Sequence, residues 1–131
     1  VIQKPKMTTE PTRLILLVSN GVSDRQQATH QARAKVLLNS RRTPYVEVDG
    51  MDLSQKERRN ELFQISGIRG QYPQFFLETK SGVTTFLGTW DDIEALNDKS
   101  SYNEHNDEIM ENHPEFPTWD RVFANIVASF D

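Results

Sequence analysis

Residues 13–49, RLILLVSNGVSDRQQATHQARAKVLLNSRRTPYVEVD, change their periodicity twice. Residues 13–18 (RLILLV) form a short apolar run, the pattern of a buried strand. Ser19-Asn20-Gly21-Val22-Ser23 is turn material. Asp24, with Gln27 three residues on, suits a capping box that opens a helix ending near Ser40. Ala28, Ala32, Val36 and Leu37 follow at near-helical spacing, and the small residues among them suit close approach to a sheet. Thr43-Pro44 stops the helix, because a residue before proline avoids helical backbone angles. Residues 45–49 (YVEVD) then set Val46 and Val48 against Glu47 and Asp49, the alternation of a strand with one face buried. A strand, a helix and a second strand in this order predict parallel pairing through a crossover.

Downstream, Ser54 and Glu57 suit a second capping box, opening a helix to about Ser66 with Leu62 and Ile65 facing inward. Gly67 stands where a left-handed helix cap is expected. Residues 74–78 (QFFLE) and 83–87 (VTTFL) flank Lys80-Ser81-Gly82 and predict a hairpin. Residues 89–97 read as a short helix whose acidic first turn suits the helix dipole. The order β-α-β-α-β-β-α over residues 12–97 predicts an α/β domain with a mixed four-stranded sheet.

Residues 1–11 are expected to be a flexible segment and 98–116 an acidic linker. Beyond them, Trp119, Val122, Phe123, Ile126, Val127 and Phe130 recur at helical spacing, which predicts an amphipathic helix over 117–131 capped by Thr118. Trp119, Phe123, Ile126 and Phe130 form either a stripe docked on the domain itself or a surface offered to a partner. His105 and His113 among acidic residues match no compact ligand spacing, so no metal site is expected.

Charge separates along the chain. Residues 1–97 hold 13 Lys/Arg against 11 Asp/Glu, and residues 98–131 hold 2 against 8. An acidic tail argues against nucleic-acid binding, which requires basic surface. Arg41 and Arg42 read as a solvated helix end. The longest apolar run is too short to span a bilayer. The first residues are polar and basic, so no secretory signal is expected. The chain has no cysteine, which removes disulfides and thiolate chemistry and fits a cytoplasmic protein.

Two segments resemble glutaredoxins. Gly67-Ile68-Arg69-Gly70-Gln71-Tyr72-Pro73-Gln74-Phe75-Phe76 resembles the stretch leading into the glutaredoxin cis-proline and third strand. Phe86-Leu87-Gly88-Thr89-Trp90-Asp91-Asp92-Ile93-Glu94-Ala95-Leu96 resembles the segment that opens the last glutaredoxin helix. The resemblance covers residues 12–97 and implies a thioredoxin-like fold of the glutaredoxin type. It departs after the first strand, where glutaredoxins carry a redox cysteine and this chain reads Ser19-Asn20-Gly21-Val22-Ser23-Asp24. In this it is similar to the cysteine-less, SH3-binding glutamic-acid-rich-like proteins, although their proline-rich stretch is absent.

The resemblance implies a glutathione-like groove formed by Ser23, Gln71, Tyr72, Pro73, Asp91 and Asp92. A cis bond before Pro73 would turn the Tyr72 N–H and C=O outward to pair with an extended peptide or glutathione. Asp91 and Asp92 would hold an amino group, or serve simply to stabilise their helix. Ser23 has no adjacent base to activate it. The expected function is a non-catalytic, protein-binding adaptor with no cofactor. The rivals are a glutathione-binding relative of the oxidoreductases and a structural subunit of a larger complex.

Overall fold

The computed structural model describes residues 10–131, and residues 1–9 of the expected N-terminal segment lie outside the described residues. Its strands are β1 (Thr12–Val18), β2 (Val46–Asp49), β3 (Gln74–Thr79) and β4 (Thr84–Thr89). They form one mixed sheet in the order β2-β1-β3-β4, with β1 parallel to β2 and antiparallel to β3. The helices are α1 (Arg25–Ser40), α2 (Lys56–Ser66), α3 (Trp90–Glu104), α4 (Asp107–Asn112) and α5 (Trp119–Val122).

β1 explains the layering. Leu14, Leu16 and Val18 are buried with Ala34 and Leu38 of α1, and with Trp90, Ile93 and Leu96 of α3. Ile15 and Leu17 are buried on the other face with Val48, Leu62, Phe63 and Phe76. Strand side chains alternate between faces, so a continuous apolar run is what a strand covered on both sides requires.

Local signals place several boundaries. The Asp24 side chain accepts the Gln27 N–H at 3.0 Å and caps α1. Gly67 closes α2 with φ +73°, in the left-handed region that favours glycine. The Ser54–Glu57 capping box does not form. Asp52 takes that role, accepting the Ser54 N–H at 2.9 Å and the Ser54 hydroxyl at 2.7 Å around a short 3-10 turn, Leu53–Gln55. The inward face of α1 is also different from the expected one. Gln31, Ala34 and Leu38 are buried, while Ala28, Ala32 and Val36 face outward. In α2, Phe63 joins Leu62 inside and Ile65 is exposed.

The tail is where local reading fails most. Most of the expected linker is helical: α3 runs on to Glu104, burying Ser100 and Asn103, and α4 follows. Side chains from the body tie this region down. Arg41, rather than ending α1 in solvent, donates from Nε to Asn97 Oδ1 at 2.9 Å and lies over the Trp119 ring at 5.2 Å. Arg121 donates to three backbone carbonyls, those of Met110, His113 and Phe116, at 2.8–2.9 Å.

The expected helix over 117–131 is corrected to the single turn of α5. Thr118 does cap it, accepting the Arg121 N–H at 3.2 Å. After a turn over residues 123–125, the chain runs beside β1, with Ile126 bridged to Thr12. Thr12 N–H donates to Asn125 O at 3.0 Å, and Val127 N–H donates to Thr12 O at 2.9 Å. The reason lies in strand lengths. β2 has four residues and pairs with β1 only from Ile15 onward, so the start of β1 would leave backbone groups unpaired on that side. The β-branched Ile126 and Val127 are weak helix formers and yield to this demand. The tail docks on the domain itself: Trp119 is 1% exposed and Phe123 8%, Ile126 packs on the same core, and Phe130 lies 4.4 Å beneath the Arg13 guanidinium. The other terminus of the described chain is held as well, with Lys80 N–H donating to Pro11 O at 2.9 Å.

Trp119 is therefore a cornerstone, and its Nε1 donates to the buried Thr43 hydroxyl at 2.8 Å. Trp119→Ala should lower unfolding free energy by about 3–5 kcal/mol, the usual cost of truncating a buried aromatic. Trp119→Phe should cost less. Urea unfolding followed by circular dichroism measures both, and an unchanged midpoint in Trp119→Ala would show that the tail does not belong to the cooperative core.

Candidate functional site

A polar cavity of about 310 Å³ opens where the N-termini of α1 and α3 meet the loop before β3. Gln71, Tyr72, Pro73 and Asp91 all line it, together with Gln27, His30 and Trp90. Four of the six groove residues expected from the sequence are thus brought together. Ser23 and Asp92 are not lining residues. Ser23 is exposed, one position before the α1 cap.

Asp92 is turned away by its own helix. One carboxylate oxygen accepts the Thr89 N–H at 2.9 Å and the Thr89 hydroxyl at 3.3 Å, completing a capping box. Burial works to raise this carboxyl, but the interactions that favour its charged form, the Thr89 N–H bond foremost among them, leave the group below the ordinary aspartate value of 3.8. Gly88 is required here, since a Cβ on it would fall 2.6 Å from the Asp92 Cβ.

The Tyr72–Pro73 peptide is cis. The Tyr72 N–H, expected to be offered to a ligand, already has a partner: it donates to Gln27 Oε1 at 2.9 Å. Gln27 therefore has two separate roles. Its backbone N–H satisfies the Asp24 cap, while its side chain reaches a residue 45 positions away. The sequence signal for Gln27 was local, and it could not disclose the distant use. Gln74 secures the same loop from below. Fully buried, its Nε2 donates to the carbonyls of Ile68 at 2.9 Å and Gln71 at 2.8 Å.

The loop after β1 is held by carboxylate and amide groups. Asn20 donates from its backbone N–H to Asp49 Oδ1 at 3.1 Å and from its side chain to Asp49 Oδ2 at 2.6 Å. Burial opposes Asp49 ionisation, but the Met51 and Asn20 N–H groups, the Asn20 amide and the Lys35 ammonium outweigh it and lower its pKa. Buried Gln31 clasps Ser19, accepting its N–H at 2.8 Å and donating to its carbonyl at 3.1 Å. His30 stacks on Trp90 with ring centroids 5.8 Å apart, a placement that makes it part of the cavity wall. No sequence signal pointed to His30, Gln31 or Gln74 in these positions.

Among the described residues, no cluster of His, Asp and Glu is arranged to hold a metal ion, and no helix is long and apolar enough to cross a membrane. No protein-family model and no curated protein sequence matches this chain. One solved structure, described as actin interacting protein 5, is similar at 15% identity and a TM-score of 0.45, covering 82% of this chain and 97% of its own.

Two measurements check this geometry. Gln27→Ala leaves the half-buried Tyr72 N–H without its acceptor and should cost about 1–3 kcal/mol, with faster hydrogen exchange at that amide. Retained protection would mean another group holds it. Asp92→Asn should destabilise the protein at pH 7. Because the folded pKa of Asp92 is depressed, the stabilisation is complete above the unfolded pKa near 4 and disappears as pH falls through the folded value. The gap between wild type and Asp92→Asn in urea unfolding should therefore shrink below pH 4; a constant gap would refute the carboxylate's role.

Proposed function

We propose that this chain is a non-catalytic, glutaredoxin-like protein-binding domain that acts as an adaptor. The observation carrying this reading is the Gln27–Tyr72 hydrogen bond of 2.9 Å in a chain without cysteine. In a thioredoxin-like groove, the backbone beside the proline is the natural edge for pairing with an extended ligand. Here its donor is consumed internally. The loop where a glutaredoxin has its thiol instead presents Ser23, exposed and one position before the α1 cap Asp24; a serine hydroxyl is a weak nucleophile unless a base activates it.

Further support comes from the strand order β2-β1-β3-β4 with helices on both faces, which is the arrangement expected of a thioredoxin-like domain. The Asp92 carboxylate, which the glutathione reading would spend on an amino group, is engaged by Thr89. Such a scaffold keeps the rigid framework of a ligand-binding fold while giving up its chemistry, and its outer surfaces become the route to function. A cytoplasmic setting fits the absence of cysteine.

Isothermal titration with millimolar glutathione should give no binding heat, and coupled assays should give no glutathione-dependent disulfide reduction. Saturable heat displaced by an oxidised glutathione analogue would overturn the adaptor reading in favour of a glutathione-binding protein.

A further inference from the structure

α1 and α3 lie side by side on one face of the sheet, and a second cavity of about 420 Å³ runs between them. Most of its exposed lining is apolar, with Ser40 and Asn97 among the polar residues at its edge. Trp90 and Leu37 form the base, and Ala32 and Val36 the α1 side. Val36 is 69% exposed, an unusual position for a branched aliphatic on a helix whose inward stripe is complete with Gln31, Ala34 and Leu38. The rims carry opposite charge. Glu94 and Asp98 line the α3 side, with Asp91 one turn before them, while Arg33 stands on the α1 side. Among the described residues none of these four makes an ion pair.

We propose that this groove is a docking site for a basic amphipathic helix of a partner protein. The proposal rests on the adaptor reading and names the partner's chemistry. Three features favour that occupant. The backbone groups of α1 and α3 are used within their own helices, so an extended strand would find nothing to pair with. Small residues, Ala28 and Ala32, precede Val36 at four-residue intervals along the outer face of α1 and permit close approach of a third helix. The acidic α3 rim at positions 91, 94 and 98 spans two turns on one face and complements Lys or Arg at matching spacing. The same rim repels an anionic lipid surface. Apolar side chains at i, i+3 or i+4, and i+7 would enter between Val36 and Trp90.

The test uses the whole chain, isotope-labelled for backbone amide NMR, with a Leu/Lys helix-forming peptide of about four turns as probe and its Leu/Glu counterpart as control. Addition of the basic peptide should shift amides along α1 and α3, with the acidic peptide silent. Val36→Asp and the double variant Glu94→Lys/Asp98→Lys should each weaken binding by about tenfold or more, with unchanged circular dichroism showing that both remain folded. Shifts centred elsewhere, equal binding of both peptides, or no binding would overturn the proposal. So would concentration-dependent dimerisation abolished by Val36→Asp, which would give the groove to a second copy of this chain. Glutathione titration is independent of all these outcomes: heat there sinks the adaptor reading, whereas a silent groove with silent glutathione sinks only this inference.

Discussion

β1 has no side left for water. Its two faces carry separate halves of the core, β3 runs along one edge, and β2 with residues 125–127 of the tail completes the other. Every backbone donor and acceptor of such a strand must find a protein partner, because an unpaired polar group there costs as much as a lost hydrogen bond. Much of the remaining structure answers that demand. The short β2 leaves the start of β1 open, and the C-terminal segment gives up its helix to close it.

Side-chain amides meet the same demand at the other end of the sheet. Gln31 acts as a substitute backbone for Ser19, Gln27 for Tyr72, and Gln74 for the carbonyls of Ile68 and Gln71. An amide carries both donor and acceptor, so it can complete a loop that no strand reaches. The consequence is a rigid but inward-directed polar end. The Tyr72 N–H, which a ligand beside the proline would otherwise meet, is already committed to the chain itself.

The tail links stability to the outer helical surface. Trp119 and Phe123 fill the same core that Leu38 and Trp90 help to build. Arg41 joins α1 to Asn97 of α3 and covers Trp119. The relative placement of α1 and α3, which defines the groove between them, thus depends on a segment far away in sequence.

Local periodicity was sufficient for the order of elements from β1 to the start of α3, the Asp24 cap and the left-handed Gly67, because each is decided by residues within a few positions of one another; the mixed sheet followed from that order through the crossover and hairpin rules. It also showed which tail residues needed burial: Trp119 and Phe123 are in the core as their spacing required. It did not reveal their conformation, nor the outward turn of Ala32 and Val36, nor the commitments of Gln27, Asp92 and Arg41. Asp92 was legible as a first-turn acid, but whether it would face a ligand or its own helix depended on the approach of Gly88. Apolar pattern records that a side chain must leave water without recording what will cover it. A hydrogen-bonding residue declares its valence but not its partner. Those choices fell to the tertiary structure, where the unpaired edge of β1, the Tyr72 N–H and the face of Trp119 first came within reach of the residues that satisfy them.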